Sequence, residues 1–278
     1  GTVMALAAVH EGPAYGLYTG GNFRRAGGLP VNYLARWDGT AWSAVGGSLG
    51  SWVFALTSFD DGTGTQLYVG GYVGMFRWNG TSWSGVGNGL PDTVLSLEVV
   101  DLGSGPTLYA GWDGGISRWD GDQWITMGLT GQGYSRVYGI ASFDTGGGPA
   151  LYAAGHFYEI GGVYAWHIAK WNGSAWLPLA PYIDIAVYDL AVFDDGNGPS
   201  LYLGGEIYRA GDSISSNMAK WYVPPKCSNP VIPDPIPDPD GNKTRSLSFK
   251  VSLPVTTAAS GSQTAIKITM TELQRPVP

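Results

Sequence analysis

A chain of 278 residues with 44 glycines, 12 tryptophans and 16 tyrosines, but only 13% charged residues, is unsuited to long helices and suited to short strands joined by tight turns. Its net charge of −7, with 15 Lys and Arg scattered along it, argues against the clustered basic face that holds nucleic acid. No apolar run reaches the roughly 18 residues that a membrane helix needs, so no membrane insertion is expected.

In chain order, Gly1-Thr2 reads as the tail of a connection from a strand further upstream, with any leader sequence cleaved or outside this segment. From Val3 the chain repeats at roughly 40 to 50 residues, the range of propeller blades and other repeat units. Five copies each open with a short apolar segment, strand A: Val3 to Val9, Val53 to Phe59, Val94 to Val100, Val137 to Phe143 and Val187 to Phe193. These lengths fit strands, not helices. An Asp/Gly turn such as Asp60-Asp61-Gly62 or Asp194-Asp195-Gly196 leads to strand B, marked by a Leu-Tyr pair at Leu17, Leu67, Leu108, Leu151 and Leu201 and by small residues after it. Strand C ends in a cation followed by Trp: Arg36-Trp37, Arg77-Trp78, Arg118-Trp119, Lys170-Trp171 and Lys220-Trp221. Asp-Gly or Asn-Gly follows at Asp38, Asn79, Asp120 and Asn172, which predicts a type I′ hairpin into strand D and its own Trp at 42, 83, 124 and 176.

Four antiparallel strands per copy cannot bury both faces of their sheet alone, so neighbouring sheets must stack, and a radial stack is a β-propeller. The recurring aromatics then fill the space between blades. The fifth copy runs from Trp221 into Tyr222-Val223-Pro224-Pro225 and lacks strand D, because proline cannot continue a ladder. The expected organisation is propeller repeats over 1–223, a proline-rich linker over 224–241, and a β-hairpin or the start of a second β-domain over 242–278, where 246–253 and 264–271 alternate polar and apolar residues.

The order of strand A, an aromatic and double-glycine strand B, an aromatic ending strand C and a Trp opening strand D resembles the kelch-type blade. It departs from that pattern in carrying Trp at the end of strand C and in a longer turn between strands A and B. More narrowly, Gly20-Gly21-Asn22-Phe23, Ala26-Gly27-Gly28 and Ala35-Arg36-Trp37-Asp38-Gly39 are similar to tandem repeats of large secreted bacterial proteins, planctomycete-like ones among them. The resemblance implies an all-β propeller at the cell surface or outside the cell.

Chemistry-bearing clusters are sparse. His10, His156 and His167 offer no obvious third metal ligand, and the Asp-rich turns lack the alternating oxygens and distal Glu of a calcium loop. Cys227 has no partner within the chain, leaving a free thiol or a bond to another cysteine outside it. Kelch-type propellers can host a copper oxidase site built from cysteine, tyrosine and histidines, but Cys227 lies outside the blades. Glu98, Glu159 and Glu206 occupy different blade positions and form no carboxylate pair motif, and the sequons at Asn79 and Asn172 coincide with turns that explain them. The repeated Arg or Lys before Trp is expected to lay its stem on aromatic neighbours and reach an acid.

What varies is the B–C loop, long in the first, fourth and fifth copies, and variable loops on a rigid scaffold carry recognition. Phe23, Arg24, Tyr72, Trp112, Phe157, Tyr158 and Tyr208 are the expected ligand-binding residues, exposed there with Arg25 and Arg209. The function expected is a non-catalytic scaffold, secreted or on the cell surface, with a protein partner or self-assembly and no cofactor or metal. The alternative is a lectin-like carbohydrate binder, and an extracellular hydrolase is the least favoured.

Overall fold

In the computed structural model the five copies fold as five antiparallel sheets, the blades of a β-propeller. Blade 1 is Thr2–Glu11 (A), Ala14–Asn22 (B), Leu34–Trp37 (C) and Trp42–Ala44 (D); blade 2 is Val53–Asp60, Thr65–Gly71, Gly74–Trp78 and Trp83–Gly85. Blade 3 is Val94–Asp101, Pro106–Trp112, Gly115–Trp119 and Trp124–Leu129; blade 4 is Arg136–Asp144, Pro149–His156, Ile168–Trp171 and Trp176–Pro178. Blade 5, Val187–Asp194, Pro199–Gly205 and Met218–Trp221, has three strands among the described residues. The structure describes residues 1–11, 14–72, 74–131, 134–179, 183–210, 213–215 and 217–221. All belong to the first of two units, Gly1–Lys226. The expected linker, the closing β segment and Cys227 lie outside the described residues.

Among the described residues the hydrophobic core forms four inter-blade layers and a small cluster of Phe23, Val31 and Ala35 within blade 1. Between blades 3 and 4, for example, Val100, Tyr109 and Ile116 of one sheet meet Val137, Leu151, Ile160 and Trp176 of the next, all buried. One contact sets the spacing. In blades 2 to 4 the first Val of strand A packs onto a glycine of the preceding strand B, and a Cβ on Gly20, Gly70 or Gly111 would collide with Val53, Val94 or Val137. The first glycine of the pair is therefore a socket for the next blade's valine, while the second, Gly21 or Gly71, lets the backbone of its own blade's strand A approach closely.

The C–D connections correct the type I′ expectation. The two Trp residues pair directly in register, Trp37 with Trp42 and Trp78 with Trp83, so the loop holds four residues. Gly39 has positive φ, but Asp38 does not. Instead the Asp38 carboxylate accepts the backbone N–H of Thr40 and Ala41, each at 2.8 Å, and Asn79 and Asn172 do the same in their loops. An Asx-capped four-residue loop thus replaces the two-residue turn. These hydrogen bonds, from Ala41 first, hold the Asp38 carboxyl down at about 2. The tilted Trp pairs, with ring centroids 5.0 to 5.4 Å apart, close the outer rim of blades 1 to 4.

Each long B–C loop folds as a two-stranded ribbon, Arg25–Ala26 with Leu29–Pro30, Glu159–Ile160 with Val163–Tyr164, and Arg209–Ala210 with Ser213–Ile214. At its base Tyr33, His167 or Asn217 takes positive φ and returns the chain to strand C.

Candidate functional site: the collar at the channel mouth

The five A strands line a central cavity of about 440 Å³. Each carries a break in pairing register at the same place: Val3/Ala5, Val53/Ala55, Val94/Ser96, Val137/Gly139 and Val187/Asp189. The residue skipped is Met4, Phe54, Leu95, Tyr138 or Tyr188. A bulge leaves its extra residue unpaired and re-aims its side chain. Here all five line the cavity, forming an apolar and aromatic collar where the strands enter it.

The collar continues outward on the same side, where the B–C loops lie. Trp52 and Tyr72 pack on Phe54, with centroids 6.2 and 4.9 Å away, and border a 250 Å³ recess with Thr93, Arg136 and Tyr138. Tyr138 meets Tyr188 edge-on at 5.3 Å. Arg136 anchors the rim: its Nε donates to Asp113 at 2.9 Å, its guanidinium lies 4.0 Å from the Tyr134 ring centre, and it also donates to the Tyr134 hydroxyl. Tyr134 leads to His156, Tyr158 and Trp166 on blade 4, joined by ring contacts of 5.3 to 6.2 Å.

Deeper in the cavity the chemistry becomes acidic. Glu98 and Asp189 both line it. Solvent reaches Glu98, but the encircling strands desolvate its carboxyl and Asp189 adds like charge, so its pKa is pushed up to about 7. His167 is buried beneath the blade 4 loop, where desolvation and then His156 push it down to about 4. Among the described residues no group of three or more His, Cys, Asp and Glu is placed to hold a metal ion.

The sequence-derived candidates divide sharply. Tyr72, Tyr158, Tyr208 and Arg24 are exposed. Phe23, Phe157 and Trp112 are buried, which corrects the expectation that they are exposed. Phe23 and Phe157 plug their own ribbons, as Ile207 does in blade 5. Trp112 folds its ring over Gly114 and Gly115 and donates Nε1–H to Ser117 Oγ at 3.1 Å. Tyr72 joins the collar and Tyr158 its blade 4 extension. The collar residues Met4, Phe54, Leu95, Tyr138 and Tyr188 were not singled out by sequence. Their signal is a large residue directly after the first Val of every strand A.

On the opposite side the repeated cation reaches an acid, as expected, in blades 2 and 5 among the contacts of the described residues. Arg77 donates to Asp61, which also accepts from Tyr68 at 3.1 Å; Lys220 reaches Asp195 at 2.6 Å, with Tyr202 donating to the same carboxylate. Desolvation raises Asp61, but hydrogen bonds from Thr63 and Tyr68 and the charge of Arg77 outweigh it, so its carboxyl sits below the usual range. The Asp-rich turns cap themselves: Asp60 accepts from Gly62 and Gly64, and Asp194 from Gly196 and Gly198. A 530 Å³ crevice between blades 1 and 2 is lined largely by their own packing residues, such as Val9, Leu67 and Trp78.

No protein-family model and no curated protein matches the chain. Among solved structures, the extracellular domain of BT4673 from B. thetaiotaomicron, assigned to one component systems, matches at 13% identity with a TM-score of 0.50, over 74% of this chain and 26% of that one. The computationally designed proteins Ika4 and Ika8 match at 14% identity with TM-scores of 0.39 and 0.45, over 63% and 80% of this chain and 93% and 58% of theirs. The chain thus spans about a quarter of the length of the bacterial extracellular domain, and at this identity the likeness is one of fold alone.

Proposed function

We propose that the chain is a non-catalytic recognition module whose working surface is the collar and its aromatic rim. The observation that carries this reading is the fivefold bulge: each blade gives up a ladder position to aim a large apolar side chain at one opening. The side chains so aimed form one apolar surface at the opening, which suits an inserted apolar anchor. Aromatic residues with Arg at a rim are the residue types on which binding energy concentrates at protein interfaces. The partner is accordingly a polypeptide loop that places an apolar side chain in the recess bordered by Trp52, Phe54, Tyr72 and Tyr138. A setting outside the cell, secreted or on the surface, accords with the occurrence of this fold in a bacterial extracellular domain.

A second reading, carbohydrate stacked on the shelf of Tyr134, Tyr158 and Trp166, is favoured by the half-exposure of all three rings. A displayed random-peptide library and a glycan array, each run against the wild type and against Tyr138→Ala and Trp166→Ala, separate the two. Peptide binders lost in Tyr138→Ala support recognition of polypeptide; glycan binders lost in Trp166→Ala, with no peptide enriched, replace it with the lectin reading.

A further inference from the structure

Every inter-blade layer repeats one set of contacts, but the ends of the series leave it unmade. The first Val of strand A is fully buried in blades 2 to 5, whereas Val3 is 56% exposed. Its neighbour Leu6 is 61% exposed, against 8% or less for Leu56, Leu97, Ile140 and Leu190. The far face of blade 5 is bare in the matching places: Phe193 is 59% and Met218 64% exposed, while their counterparts Phe143 and Ile168 in blade 4 are buried. Its socket is empty as well, because nothing among the described residues lies within 4 Å of where a Cβ on Gly204 would be. Val3 and Gly204 are the knob and the socket of one interface, and they do not meet.

We propose that the gap between blade 5 and blade 1 is a docking site for one further four-stranded blade of this same repeat class. The two faces together specify that occupant. Blade 5 requires a strand A that presents Val and Leu at the spacing of Val53 and Leu56. Blade 1 requires a strand B that presents a glycine socket to Val3, beside an aromatic like Phe59. A sheet of this repeat carries the first set on one face and the second on the other, as blade 2 does with Val53 and Leu56 on one side and Gly70 and Phe59 on the other. The interface would continue the four already formed; it adjoins the collar at Met4 and Tyr188, but the exposures and the empty socket that argue for it do not depend on the function proposed above.

The test adds that blade to the full chain. Because Thr93-Val94 and Thr2-Val3 are equivalent, a second copy of residues 50–91 placed directly before Gly1 keeps the natural spacing from strand D to the next strand A. Single reporters Val3→Cys and Phe193→Cys, and Val53→Cys in the original blade 2 as a control, are made in a Cys227→Ser background and labelled with a maleimide. Without the added copy, positions 3 and 193 should label freely and position 53 slowly. With it, labelling at 3 and 193 should slow by at least about tenfold, as expected for positions moved from open surface into packed structure. Gly70→Trp within the added copy should restore labelling at 3. The proposal is overturned if the added copy leaves both rates unchanged while position 53 stays protected. It is also overturned if positions 3 and 193 are already protected without the copy, or if the copy exposes position 53 by disrupting the existing blades.

Discussion

Replacing the first Val of strand A with Ala should give very different results at positions that look identical in sequence. Val53, Val94, Val137 and Val187 are fully buried, and Val53 and Val94 sit in glycine sockets of the preceding blade. Val→Ala removes two methyl groups; at about 0.8 kcal/mol per buried carbon the transfer loss is about 1.6 kcal/mol, and the unfilled socket brings the total to about 2 to 3 kcal/mol. Val3 keeps more than half its surface in solvent, so the same change there should cost about 0.5 kcal/mol or less. Urea unfolding followed by Trp fluorescence and far-ultraviolet circular dichroism measures both. Coincident transitions are required, because stacked repeats can unfold in parts. A Val3→Ala loss as large as that of Val94→Ala, or a Val94→Ala loss below about 0.5 kcal/mol, would refute the socket argument.

Two titrations should oppose one another. Glu98, raised from 4.5 to about 7, keeps a proton in the fold that the unfolded chain has lost, so stability should fall as pH rises through that window, and Glu98→Gln should flatten the decline. His167, lowered from 6.5 to about 4, binds its proton more readily when unfolded, so stability should fall as pH drops from 6.5 to 4. His167→Asn should remove that loss while tolerating the positive φ, as Asn217 does in blade 5. Urea midpoints from pH 4 to 8 check both. Trp112→Ala should cost about 3 to 5 kcal/mol by emptying a buried site, and Tyr72→Ala under about 1 kcal/mol, with denaturation midpoints as the measure. Asp61→Asn should cost under about 1 kcal/mol, because Arg77 beside it remains partly exposed; a larger loss in urea unfolding would mean that the Tyr68 contact dominates.

Much of the fold is legible in the sequence because repetition shows each strand five times. The Trp pairs, the Leu-Tyr strands and the cation that reaches Asp61 or Asp195 follow from spacing and chemistry alone. The collar is less legible, since a bulge shifts register by one residue and leaves no mark in an alternating pattern; Phe54 and Tyr138 read simply as strand residues. The misplaced candidates have another cause. Phe23, Phe157 and Ile207 stand at one offset in three loops, and an apolar residue that recurs in place marks packing even inside a loop. Trp112 stands where blade 2 has Gly71, opposite the first Val of strand A, so it belongs to strand B and not to the loop, and glycines at 114 and 115 let its ring lie down. The C–D loops differ from expectation because the Asp or Asn side chain caps two backbone N–H groups, which stabilises a longer loop than the dipeptide alone suggests.

The claim that the collar is the recognition surface is tested most directly by titrating a library-selected peptide against the wild type and Tyr138→Ala, using the fluorescence of the protein's tryptophans. Loss of one buried anchor contact at an interface is worth about 2 kcal/mol or more, so affinity should fall by at least about thirtyfold in Tyr138→Ala while the urea midpoint changes little. Equal affinity for the two proteins, from a peptide that binds the wild type, would contradict the account.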